Sequence, residues 1–383
     1  MTASRRAVCA FVASILVFAT LAQAKSEVRE EKPLIQVALL LDTSNSMDGL
    51  INQARTQLWT IVNEFARAKQ FGQAPTLQVA LYEYGNSGLP AAGGYIRQVL
   101  PLTDDLDKVS EQLFALKTNG GDEYCGQVIG VATKDLAWSD SNKVYKAIFI
   151  AGNEPFTQGT VDYHASCADA IKRGIIVNTI HCGNASDGQS TGWADGAKLA
   201  DGQALNIDQD RAVVAIKAPQ DEEIVRLSTE LNKTYVAYGA RGRESQVRQE
   251  LADVAAITPA ATAAGAPVQR SVSKANSLYQ NSTWDLVDGT KNGQVKLDDI
   301  ADKDLPDNMQ KMTKEQRRAY VDEQGKKRGE IQKQINDLNT AREKFVADKR
   351  REEAKSGADT LDAAVLKAVR EQMQKKEFTT EAK

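Results

Sequence analysis

The run Val37-Ala38-Leu39-Leu40-Leu41 has no polar residue to turn toward water on either face. An uninterrupted apolar strand of this kind is buried on both sides, as happens inside a parallel sheet covered by helices. It stops at Asp42, and Asp42-Thr43-Ser44-Asn45-Ser46 then sets one carboxylate and two hydroxyls at alternate residues. Ligands of open α/β sheets bind beyond the carboxyl ends of the strands. Hard oxygen donors at that place suit Mg²⁺, Mn²⁺ or Ca²⁺.

The pattern repeats along the chain. Strands are predicted over 34–42, 77–82, 95–100, 144–150, 175–180 and 203–207, the third of them at an edge. Helical spacing fills 48–69, 103–116, 127–138, 161–172 and 193–200 between them. Alternating strands and helices give an α/β fold with a doubly wound, mostly parallel sheet. A helix over 221–231 and a strand over 234–238 are expected to extend the same domain, which is placed at 33–257. Residues 258–275, rich in Ala, Ser and Pro, read as a linker. The stretch 276–383 reads as a charged helical tail. Within it Ile331, Ile335, Leu338 and Phe345 follow a heptad-like seam, with Arg342 at one seam position. A partial match to a calcium-binding loop at Asp288–Asp299 is read as a polar turn.

The first residues look like a targeting segment. Arg5 and Arg6 precede the apolar stretch Ala7–Leu21, and Ala22-Gln23-Ala24 is a small-x-small cleavage site. Residues 1–24 are therefore expected to be a signal peptide, and the protein periplasmic or secreted. No later stretch reaches the length of a transmembrane helix. Loss of residues 1–24 takes the formal charge from −3 (48 basic, 51 acidic) to −5 (46 basic, 51 acidic). That balance argues against nucleic acid as a partner.

The motif in its strand–loop–helix setting resembles the metal-ion-dependent adhesion site of the von Willebrand factor type A (VWA) family. The resemblance covers about half the chain, and it implies a Rossmann-like fold and a bound divalent cation. Asp42, Ser44 and Ser46 would hold the ion. An open coordination position would accept a carboxylate from a protein partner. The chain departs from the family at two loops. Gly120-Gly121-Asp122-Glu123-Tyr124-Cys125 resembles a G-G-D-x-x-E variant, with Cys125 in place of the last Glu, so that Asp122 or Glu123 would supply a carboxylate. In the third loop Gly152 stands where the family has Asp, leaving Asn153 or Glu154 to reach the site. These loops together resemble a secreted bacterial branch of VWA proteins, with a partly degenerate site.

Cys125, Cys167 and Cys182 remain after signal cleavage. All are expected near one end of the sheet, with Cys167–Cys182 as the preferred disulfide and three buried thiols as the alternative.

Three readings of function follow. The first is a secreted protein-binding module that engages an acidic group through a divalent cation and is not an enzyme. The second is an envelope scaffold acting, or self-associating, through its helical tail. The third is a hydrolase that uses the same metal, or Glu123 and Glu154 as acid and base.

Overall fold

The computed structural model describes residues 32–48, 50–207, 216–263, 265–353 and 361–380. The expected signal peptide lies outside them. Residues 32–383 fall in one compact unit.

The chain opens with β1 (Leu34–Asp42), α1 (Ile51–Phe65), the short β2 (Ala68–Gln70), β3 (Thr76–Tyr84) and β4 (Ile96–Thr103). It continues through α2 (Leu106–Ala115), α3 (Cys125–Asp135), β5 (Tyr145–Gly152), α4 (Tyr163–Lys172) and β6 (Ile176–Cys182). Then come α5 (Ala185–Ser190), α6 (Trp193–Leu199) and β7 (Ala204–Ile207). Six strands form one sheet in the order β4-β3-β1-β5-β6-β7. All pairings are parallel except that of β3 with the edge strand β4. The winding reverses between β1 and β5, and Asp42 ends one of those strands while Gly152 ends the other. An open α/β sheet forms its binding crevice at such a reversal.

Alternation along β1 builds two cores. Ile35, Val37, Leu39 and Leu41 face one side, packed against Leu58, Val62 and Phe65 of α1. Ala38 and Leu40 face the other, where α3 and α4 contribute Val128, Ile129 and Ala170. The apolar run therefore has to be continuous, because both of its faces are covered.

Beyond β7 the helix expected at 221–231 forms, but the strand and the linker expected after it do not. Helices α7 (Asp221–Asn232), α8 (Gly239–Ala256), α9 (Pro259–Ala263) and α10 (Ala266–Lys274) follow. No strand forms at 234–238; Ala237 makes one isolated bridge to Asp285. The expected linker at 258–275 is largely helical and packed: Val268, Val272 and Ala275 join the core beneath α1. Its polar residues hid this role. Arg270 and Lys274 are 3% and 0% exposed, and are neutralised by Asp107 of α2 and Asp253 of α8. Buried cations are tolerated when paired in this way.

The expected tail also folds back. It comprises α11 (Leu286–Lys291), α12 (Asp307–Gln310), the 40-residue α13 (Lys314–Glu353), α14 (Leu361–Gln374) and β8 (Phe378–Thr380). The calcium-loop-like residues Asp288–Lys291 lie in α11, so no such loop exists. Ile331, Ile335 and Leu338 of the seam pack into the first core of their own chain. Arg342, the misfit of the seam, meets Asp221 in the first turn of α7 at 2.6 Å. Val369, Met373 and Phe378 close the same core, and β8 pairs antiparallel with β2. The seam therefore serves the chain's own core. No helix of the described residues is long and apolar enough to cross a membrane.

Candidate functional site

The end of β1 puts Asp42 at the bottom of the crevice with no exposed surface. Its Oδ1 accepts from the Ser44 backbone N–H at 2.7 Å. Its Oδ2 has no hydrogen-bond partner among the described residues. The short turn after Asp42 lines up two hydroxyls: Ser44 Oγ lies 2.8 Å from Ser46 Oγ, and Ser46 donates to Asn153 Oδ1 at 2.9 Å. Asn153 follows β5, so this bond joins the two strand ends that flank the reversal.

The loop before α3 decides the remaining carboxylate. Glu123 is 4% exposed and turns inward, with its backbone N–H donating to Gln158 Oε1 at 2.6 Å. Asp122 is exposed, and accepts from the Tyr124 phenol at 3.1 Å. Of the two candidates in this loop, Glu123 is the one beside Asp42. Glu154 is half-buried, and its charge acts on both Asp42 and Glu123.

Burial pushes the Asp42 carboxyl up to about 7, against the pull of its hydrogen bonds to Ser44 and the Asn153 backbone, and the Glu154 charge adds to the rise. Burial likewise raises Glu123 to about 7, with Asp42 and then Glu154 adding to it while the Ser44 hydroxyl opposes. Every charge acting on these two groups is negative. A crevice of oxygen donors whose carboxylates have no ion-pair partner among the described residues can hold either protons or a cation.

Two residues missed in the sequence, Tyr84 and Gly85, complete the walls. Gly85 follows β3 with φ 78°, a left-handed conformation that favours glycine. A Cβ there would sit 2.7 Å from Asp42 Oδ1 and 2.8 Å from Glu123 Cγ, so glycine keeps these carboxylates in place. Tyr84 donates to the Ala151 carbonyl at 3.0 Å. A side chain at residue 152 would collide with the Tyr84 phenol, and its Cβ would lie 3.1 Å from Asp42 Oδ2. The glycine that replaces the family's Asp is thus matched to a tyrosine filling that space. His181 sits below, with Nδ1 2.9 Å from Asn206 Oδ1 and Nε2 3.3 Å from the Asn153 carbonyl. The Tyr84-Gly85 pair at a strand end was the available signal, but its partners lie in other loops.

Cys125 is buried at the start of α3, 3.8 Å from the Tyr84 phenol, and burial pushes its thiol up. The nearby charges of Asp42 and Glu123 add to the rise, and a protonated thiol is a poor ligand for a hard cation. The expected Cys167–Cys182 bridge is absent, and Cys125, Cys167 and Cys182 are free, buried thiols. The reason is strand parity. Cys182 faces the first core, whereas Cys167 on α4 lies in the second, across the sheet. Among the described residues no three His, Cys, Asp or Glu side chains form a metal-holding group. Hydroxyl and amide oxygens make up the rest of the donors here.

No curated protein matches this chain. Solved structures do match. BatB from Bacteroides thetaiotaomicron aligns at 17% identity and TM-score 0.35, over 45% of this chain and 90% of that one. The VWA domain of SpRpn10 aligns at 17% identity and TM-score 0.35, over 46% of this chain and 89% of its own. Proximal thread matrix protein 1 from the mussel byssus, with a zinc-occupied MIDAS motif, aligns at 12% identity and TM-score 0.34, over 47% of this chain and 43% of that one. The model of the von Willebrand factor type A domain matches residues 36–209, the span from early β1 to just past β7. VWA domains generally mediate protein–protein interaction, and most are not enzymes. The α/β body of this chain, residues 36–209, is a von Willebrand factor type A domain.

Proposed function

We propose that the chain is a secreted or periplasmic protein-binding module that uses a divalent cation to engage an acidic group on its partner. One observation carries the reading: Asp42 and Glu123 lie buried together with only negative charges acting on them, and Asp42 Oδ2 has no partner. Uncompensated buried carboxylates are costly, so such a pair is expected to serve a ligand. The residues fit a hard divalent ion. Asp42 and Glu123 would supply charge, and Ser44, Ser46 and Asn153 neutral oxygens, a set suited to Mg²⁺ or Mn²⁺ and also to Ca²⁺. Asp122 falls out of the proposed ligand set, and Glu154 stays at its edge as a charge. A bound divalent ion supplies an open position for an incoming carboxylate. Gly85 and Gly152 keep backbone, rather than side chains, against Asp42. His181 braces the loop that presents Asn153.

The localisation rests on the basic, apolar and small-residue pattern of residues 1–24.

The test is calorimetric titration of Mg²⁺, Mn²⁺ and Ca²⁺ into the whole mature chain and its Asp42→Ala variant. Saturable binding is expected in the first and at least about a tenfold loss in the second. Equal heats from both proteins, or none at millimolar ion, would sink the reading. The whole chain is needed because residues beyond 258 complete the core.

A further inference from the structure

At the opposite pole of the sheet lies a groove of about 1910 Å³. One wall is the corner where α1 runs into β2, with Arg67 and Lys69; the other is the length of α13, with Lys326 and Lys344. β1 runs from this pole to the cation crevice. At about 3.3 Å per residue, its nine residues put the two places roughly 30 Å apart.

The groove's charge opposes that of the chain. Nine basic side chains line it against five acidic ones, whereas the formal net charge of the whole protein is −3. Several of these charges are already satisfied. Arg67 pairs with Glu343 across the groove, Lys333 with Asp337 at 2.6 Å, Arg351 with Asp348 at 3.2 Å, and the buried Arg328 with Asp288 at 2.9 Å. Lys291, Lys326 and Lys344 have no ion-pair partner among the described residues. They come from two different helices, α11 and α13, and border the same space. Between the charges the lining is amide and small: Asn276, Gln280, Gln332, Asn336, Gly325 and Gly329. Glycines on a helix face let another chain's backbone approach closely, and amides can bond it.

We infer that this groove is a second docking surface, one that takes an extended acidic segment of a protein partner. Charge complementarity argues for the acid. The amides Asn276, Gln280, Gln332 and Asn336 argue for a peptide, because they can donate to its carbonyls and accept from its N–H groups. The surface is independent of the cation crevice, and binding there requires no metal.

The test uses the whole mature chain, a fluorescein-labelled deca-glutamate peptide, and fluorescence anisotropy at about 50 mM salt. Saturable binding of deca-glutamate is expected, with none of deca-glutamine. The triple reversal Lys291→Glu, Lys326→Glu and Lys344→Glu should weaken it at least tenfold. A thermal melt matching that of the unmodified protein shows that the variant is folded, and single Lys→Gln changes serve if it is not. Asp42→Ala and added EDTA should leave the affinity unchanged, which separates this surface from the cation site. Three results would each overturn the proposal. These are no saturable binding, affinity untouched by the lysine changes, and tighter binding of a single-stranded oligodeoxynucleotide of equal charge.

Discussion

Asp42 and Glu123 hold protons where free carboxyls have lost them. Their folded values are about 7, against ordinary values of 3.8 and 4.5. Below about pH 4 the folded and unfolded chains are both protonated at these positions. Between about pH 4 and 7 the unfolded chain has ionised while the folded one still binds protons. Stability contributed by the pair is therefore full at acid pH, and is lost as pH rises through about 7. A divalent ion competes for the ionised form, so its effect should have the opposite sign. Scanning calorimetry of the metal-free protein should show a lower Tm near pH 8 than near pH 5. Millimolar Mg²⁺ or Mn²⁺ should raise Tm near pH 8 and do little near pH 5. Asp42→Asn should flatten both trends. A metal effect as large at pH 5 as at pH 8 would contradict this account.

Elements that looked unsuited to a core are held there by specific charges. Arg328 of α13 is nearly inaccessible, and sits 2.7 Å from Asp285 and 4.1 Å over the Tyr235 ring. It also donates to the Thr234 carbonyl at 2.7 Å. Through these bonds one residue ties α13 to the segment after α7 and to the cap of α11. Removing one partner of a buried pair leaves the other charge uncompensated. Arg328→Ala should cost about 3–5 kcal/mol in urea unfolding, whereas exposed Lys327→Ala, one residue earlier, should leave the urea midpoint nearly unchanged. Equal midpoints for the two variants would show that α13 is not anchored at this point.

At the level of the molecule, the region after the VWA domain is part of its core. Tyr145 donates to Gln372 Oε1 at 2.7 Å, and Gln372 donates to Asn178 at 2.7 Å, so α14 satisfies polar groups on two sheet strands. Arg370 pairs with Glu64 of α1 at 2.5 Å. A fragment ending at Thr258 would expose these groups together with the apolar surface under α10 and α14. It should lack a cooperative near-UV melt and bind the dye ANS, while the whole mature chain melts in one transition. A sharp melt from the fragment would show that the domain folds without its C-terminal helices.

The sequence by itself determined what is local. A two-faced apolar run, strands and helices in alternation, and Asp42, Ser44 and Ser46 at a strand end follow from side-chain periods and chain order. Those signals led to the fold class and to one edge of the crevice. Choices that depend on distant neighbours were left to the tertiary structure. Asp122 and Glu123 are adjacent in sequence, but only the packing of Gly85 against the loop shows which one turns inward. Cys167 and Cys182 share an end of the sheet, yet strand parity sets them on opposite faces. Arg270 and Lys274 fell in an expected linker and Arg342 interrupted an apolar seam, because their partners Asp253 and Asp221 lie elsewhere in the chain. A buried charge is legible only together with the charge that neutralises it, and the fold, not the sequence spacing, brings the two together.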